Sequence, residues 1–319
     1  MRPRAAFPGL AKTASETADP PASDRVGACL VGKLRELDAR LEEVAPRVLA
    51  HETDDEAVHD LRVALRRMRT VLELGRDVLG PFHADEVRRA LRDVQRATGD
   101  LRDEEVLLAL LGSLGVEHPD VTAWLEGRRG HERKLRRALV RLLQSGALDG
   151  GRELLSALLA FRIKPSRDKR VHKYARRAVE SARREVDRRR GARPDDPDAL
   201  HRLRIAYKRL RYTVETFADV LPEDLAVLAQ GAARMQSRLG DLHDVDVGIV
   251  CVRRARALTP ESRAELLAAL GRERAVRVAA YVRLAGDVRD VRGAALIAAP
   301  APREDQAVGA ASLRKISTR

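Results

Sequence analysis

The stretch VHDLRVALRRMRTVLE, Val58 to Glu73, is matched by LHRLRIAYKRLRYTVE, Leu200 to Glu215, and setting the two side by side decides how the chain is built. At an offset of 142 residues His59 meets His201, Arg62 meets Arg204, Arg66 meets Lys208, Arg67 meets Arg209, Arg69 meets Arg211 and Glu73 meets Glu215. Further along, Gln95 and GDLRD from Gly99 meet Gln236 and GDLHD from Gly240 at an offset of 141. Glu132, Arg133 and Arg136 meet Glu273, Arg274 and Arg277 at that same offset. Three matches in one order imply that a whole unit has been duplicated.

Each segment reads as a helix. At about 100° per residue, His59, Arg62, Arg66, Arg69 and Glu73 form one stripe, and Val58, Leu61, Leu65, Met68 and Leu72 form an apolar stripe a quarter-turn away. The second copy sets His201, Arg204, Lys208, Arg211 and Glu215 beside Leu200, Leu203, Tyr207, Leu210 and Val214. The cations therefore flank the buried face rather than opposing it, where water is partly excluded and contacts with phosphate strengthen. Like charges at i,i+4 destabilise a helix, so a repeated row with few acids is poorly explained as a solvated, self-neutralising face.

Working outward, apolar residues recur at three- and four-residue spacings and aromatics make up 3% of the chain, which predicts helices throughout and no convincing strand. The expected helices lie near 26–49, 56–79, 84–98, 101–113, 120–145 and 147–161, then near 168–191, 197–220, 223–239, 242–257 and 261–287. Residues 1–22 and 293–319, rich in Pro, Ala, Ser and Thr, read as flexible tails. The 319 residues between and including them suit two fused units, 23–163 and 164–292, better than one core. The net charge of +13 is uneven, with −1 on residues 23–163 and +11 on 164–292. Such a field attracts anionic partners.

Other chemistries fit less well. Cys29 and Cys251 are too few for a disulfide framework and suit a reducing compartment as small core hydrophobes. The longest uncharged apolar run, Val106 to Val116, falls short of a membrane span, so no membrane partner is expected. GACLVGK from Gly27 mimics a phosphate-binding loop, but Leu34 stands where Ser or Thr would hold magnesium and no strand precedes it. The G-D-L-x-D segments, with Asp241, His243, Asp244 and Asp246 in the second, invite a metal. The simpler reading makes Gly99 and Gly240 helix ends, Asp100 and Asp241 N-caps, and Asp103 and Asp244 first-turn acids that pair with the basic helices. The first copy has Arg102 in place of His243, so neither a metal nor another cofactor is expected. No Ser/His/Asp or Cys/His pairing stands at an informative spacing, and nothing demands a phosphohistidine from His59 or His201.

The paired HxLRxxxxRxR-type helices, each followed by a G-D-L-x-D segment, resemble the CHAD family, the conserved histidine α-helical domain, over about residues 24–290. The resemblance implies an all-α fold of two four-helix-bundle repeats related by a pseudo-two-fold axis, with both basic helices facing a central basic groove that binds inorganic polyphosphate. It maps ligand contacts onto His59, Arg62, Arg66, Arg67 and Arg69, and onto His201, Arg204, Lys208, Arg209 and Arg211. It also implies a cytoplasmic protein that can collect on polyphosphate granules. Arg133, Arg136, Lys173, Arg177, Arg274 and Arg277 are secondary candidates that could extend the groove. Two alternatives carry forward. A nucleic-acid binder is disfavoured by a single tryptophan, Trp124, and the lack of a recognition module. An enzyme acting on phosphoanhydrides would need a carboxylate cluster for magnesium, and the stripes hold only Glu73 and Glu215.

Overall fold

A computed structural model describes residues 24–50, 54–161 and 168–290. The expected tails and the expected junction between the two units at 163/164 lie outside the described residues. The helices are α1 (Val26–Ala50), α2 (Asp55–Leu74), α3 (Arg76–Leu79), α4 (Pro81–Ala90), α5 (Arg92–Ser113), α6 (Pro119–Gln144) and α7 (Ala147–Ala160). They continue as α8 (Val171–Arg189), α9 (Pro197–Thr216), α10 (Glu223–Ala226), α11 (Leu228–Arg254) and α12 (Pro260–Asp290), with a 3-10 turn at Ala218–Val220. The fold is all-α. Among the described residues the only β pairing is a single antiparallel bridge between Arg25 and Arg170. There, Asp168 accepts from the Gly27 N–H at 2.8 Å, so the start of α1 is capped from the start of α8.

The helices that carry the sequence repeat begin alike. The Asp54 carboxylate accepts from the Ala57 N–H at 2.8 Å, and the Asp196 carboxylate accepts from the Ala199 N–H at 2.8 Å. Both satisfy an otherwise orphaned first-turn donor. Their apolar stripes, Val58 to Leu72 on α2 and Leu200 to Val214 on α9, are buried as the spacing predicts. Each fully buried Leu in these stripes contributes about 1.5–3 kcal/mol.

Neighbouring helices follow the same plan in both halves. α1 packs on α2 as α8 packs on α9, α2 on α5 as α9 on α11, and α5 on α6 as α11 on α12. Contacts also run between matched helices: α1 meets α8, α2 meets α9 and α5 meets α11. The cores are not two closed units. One cluster joins first-half residues such as Leu61 and Met68 to Val171, Ala175 and Phe217, and a second lies within the second half around Leu203 and Leu210. A third is shared, with Leu107, Leu111 and Val121 against Val245, Val252 and Leu266. Among the described residues no helix is long and apolar enough to cross a membrane.

Several boundaries differ from the periodicity. The helix expected over 56–79 breaks at Gly75, where a Cβ would come within 2.8 Å of Leu30 Cδ1 and Leu79 Cδ1. The break expected near Gly99 falls instead at Leu91, against which α7 packs through Gly151, whose added Cβ would lie 2.9 Å from Leu91 Cγ. The largest correction concerns the G-D-L-x-D segments. Gly99 and Gly240 sit inside the uninterrupted helices α5 and α11, and among the described residues the glycines with positive φ are Gly80, Gly115 and Gly146. Asp100 and Asp241 are therefore not N-caps, and Asp103 and Asp244 are not first-turn acids.

Candidate functional site

The mid-helix glycines have a different use, in which helix–helix distance matters more than chain reversal. A Cβ on Gly99 would come within 2.9 Å of Arg62 Nη1, and one on Gly240 would lie 3.6 Å from Arg204 Nε. The bare backbone of α5 thus leaves room for an arginine of α2 to lie across it, and α11 does the same for α9. One turn further on, Asp103 is 3.5 Å from Arg62, an ion pair that the sequence reading anticipated. Asp244 is its counterpart; burial raises its carboxyl to about 6 against the opposing pull of Arg204.

Because α2 and α9 touch, the two cationic stripes come together. Lys208, half-buried, is surrounded by Arg66, Arg204, Arg62 and Arg69, drawn from both copies. Burial, and then repulsion from those four guanidiniums, pulls its ammonium from the ordinary 10.5 down to about 7. Among the described residues no carboxylate lies within salt-bridge range of Lys208. Arg204 Nε is buried with no hydrogen-bond partner.

Tyr212, which the sequence reading did not single out, organises the next turn. Arg66 lies over its ring at 4.9 Å to the centroid and Arg211 at 5.7 Å, so one aromatic ring holds an arginine from α2 and one from α9. Glu215 also bridges the halves, 2.7 Å from Arg211 and 3.4 Å from Arg67. Only adjacency of α2 and α9 could reveal the contacts of Arg66 with Tyr212 and of Arg67 with Glu215, since those partners lie far apart in the sequence.

The remaining candidates divide by position. His59, Arg67, Arg69 and Arg209 are exposed. Arg209 lines a cleft of about 510 Å³ with Glu73, Lys169, Lys173 and Arg177, which places two secondary candidates beside a primary one. Arg136 is paired with Glu105 at 2.8 Å and Glu132 at 3.0 Å. Arg274 is paired with Asp246 at 2.7 Å, and Arg277 with Glu273 at 2.7 Å. Arg136 thereby braces α5 to α6 and Arg274 braces α11 to α12, a link to which Arg277 adds by donating to the Asp241 carbonyl, whereas Arg133 is exposed. His201 is half-buried with its ring 4.4 Å from that of His243, and burial followed by Arg204 lowers the affinity of His201 for a proton. His243 is pulled down to about 4 by burial and then by Arg204 and His201. In the first half Arg102 takes the position of His243 and pairs with Glu105 at 3.2 Å. Cys29 and Cys251 are half-buried free thiols packed beside the first and third core clusters.

An all-helical fold with paired basic helices is thus joined to a sequence that matches the CHAD domain over residues 32–253, and the chain belongs to that family. Its fold is similar to the CHAD domain from the plant Ricinus communis, with a TM-score of 0.66 at 20% identity, covering 84% of this chain and 92% of that one. PptA from Streptomyces chartreusis is similar with a TM-score of 0.63 at 16% identity, over 83% of this chain and 99% of that one. Comparison with curated proteins gave no match.

Proposed function

We propose that this protein is a non-catalytic binder of inorganic polyphosphate, which lies in a groove between α2 and α9. The reading rests above all on Lys208, which has no carboxylate of its own in ion-pair range among the described residues and is crowded by Arg66, Arg204, Arg62 and Arg69, of which Arg62 is paired with Asp103. Such a cluster is unfavourable until an anion enters it, and a chain of phosphates supplies one charge after another. Arg62, Arg66, Arg69, Arg204 and Arg211 grip phosphoryl oxygens with their planar forks, Lys208 adds a compact charge, and His59 and His201 add donors. Arg67 and Arg209 widen the cationic field at the rim.

The two units, 23–163 and 164–292, are related by a pseudo-two-fold axis in this reading. Contact of α1 with α8, α2 with α9 and α5 with α11 supports it, because elements near a two-fold axis meet their own counterparts. Binding takes place in the cytoplasm, with recruitment to polyphosphate granules as its cellular consequence. Side-by-side titration with long polyphosphate, duplex DNA and RNA at equal phosphate concentration tests the ligand. Polyphosphate should bind most tightly, and Arg66→Glu and Lys208→Glu should each cut that affinity with helicity kept. Displacement of polyphosphate by either nucleic acid would overturn the ligand assignment. Steady phosphate release in magnesium or manganese, lost on His59→Ala with His201→Ala, would overturn the non-catalytic assignment.

A further inference from the structure

A pocket of different character lies at the start of the α9 stripe, where His201 stands. The cavity, about 650 Å³, is lined on its apolar side by Trp124, Val247, Val250 and Cys251, and the paired rings of His201 and His243 also line it. Its size is in the range of small-molecule sites. Val247 and Val250 are 42% and 44% exposed, large apolar side chains left open to solvent inside a concave surface. His201 is shared: it lines the pocket and begins the stripe that continues to Arg204 and Lys208, about 4.5 Å and 10.5 Å further along the helix axis.

The charges lining this cavity are largely answered within the protein. Arg128 is held by Glu104 at 2.7 Å and lies 6.0 Å from the centroid of the Trp124 ring, and Asp246 is held by Arg274 at 2.7 Å. The pocket therefore suits an uncharged planar group rather than another phosphate. Such a group would find the Trp124 indole, two valines, and imidazoles that can donate or accept. Asp198, exposed near the start of α9, adds an acceptor for hydroxyl groups, and Arg254 adds a cation at the opposite helix end.

We infer that the pocket is a nucleoside site, and that the protein binds nucleoside 5′-triphosphates with the base against Trp124 and the phosphates running past His201 toward Arg204 and Lys208. This rests on the polyanion reading of the cluster, to which it adds selectivity at one end. Bare triphosphate can use only the cluster, whereas ATP can use both. Stacking of one base on one aromatic ring is enough for a preference of about tenfold.

Trp124 is the only tryptophan in the chain, so its emission reports on this pocket alone. Calorimetric and fluorescence titrations of the full chain with ATP, inorganic tripolyphosphate and long polyphosphate, without magnesium, test the inference. ATP should bind about tenfold more tightly than tripolyphosphate and change Trp124 emission, and tripolyphosphate should leave that emission unaltered. Val250→Asp should abolish both differences and leave long-polyphosphate affinity unchanged; Val247→Asp is the second variant. Equal affinities for ATP and tripolyphosphate, with no emission change, would overturn the nucleoside site while leaving polyphosphate binding intact. Tight ATP binding with no affinity for long polyphosphate would instead overturn the wider polyanion reading and keep the pocket. The comparison of ligands on the wild type decides the matter even if a variant fails to fold.

Discussion

Replacing Lys208 with methionine should make the ligand-free protein more stable and a weaker binder. The fall of its ammonium from 10.5 to about 7 corresponds to a ceiling of about 5 kcal/mol against the charged form, at about 1.36 kcal/mol per pH unit. Lys208 keeps part of its surface in water and counterions screen the guanidiniums around it, so about 1–3 kcal/mol is expected. Methionine keeps an unbranched apolar stem and removes the charge, so this cost disappears. The sign of the pH dependence follows from the folded value lying below the unfolded one. Between pH 7 and 10.5 the unfolded chain holds more protons, so wild-type stability rises with pH across that window. The penalty is complete below 7, declines through the window and is absent above 10.5. Urea unfolding of wild type and Lys208→Met from about pH 6 to about pH 9 should show the wild type approaching the variant as pH rises. Salt near 1 M, with a Debye length of about 3 Å, should narrow the gap. Saturating polyphosphate should narrow it further by stabilising the wild type more. A variant less stable than wild type at about pH 6, by an amount that does not change with pH, would refute the reasoning and make Lys208 a packing residue.

Gly99→Ala should raise helix stability by about 0.5–1 kcal/mol while weakening polyphosphate binding about threefold or more, because the new Cβ displaces Arg62. Gly240→Ala is the internal control: its Cβ would meet Arg204 Nε at an ordinary 3.6 Å, so thermal melts should show the same gain and titration no loss. The logarithm of affinity for long polyphosphate should fall linearly with the logarithm of salt concentration, since counterion release drives association; an affinity constant across salt would count against the groove. Affinity should also climb with polyphosphate length and flatten once both stripes are spanned, each about 15 Å long, and Arg66→Glu should remove most of that climb. Size-fractionated polyphosphates would read this, and triphosphate binding as tightly as long chains would reduce the site to a compact anion pocket in one bundle.

Much of the helical plan was legible in the residues alone. The period of Val58, Leu61, Leu65, Met68 and Leu72, repeated in Leu200 to Val214, is a local consequence of about 3.6 residues per turn, and those side chains are buried as expected. The stripes beside them needed no more than that geometry to be located. That Asp103 pairs with the basic helix was also anticipated, but that its partner is Arg62 came only with the structure.

Tertiary structure alone decided how glycines, aromatics and charges from distant segments meet. A glycine in isolation is as good a sign of a helix end as of a close approach, and only the packing of α5 on α2 and of α11 on α9 separates the two at Gly99 and Gly240. Tyr212 looks like one more core aromatic until α2 brings Arg66 over its ring. Arg136 and Arg274 read as further cations until α5 and α11 place Glu105 and Asp246 against them. The sequence by itself determined which residues share a helix face, because that depends on the backbone period. Which faces meet depends on apolar burial and charge summed over the whole chain, and that sum brings Lys208 among four arginines drawn from α2 and α9.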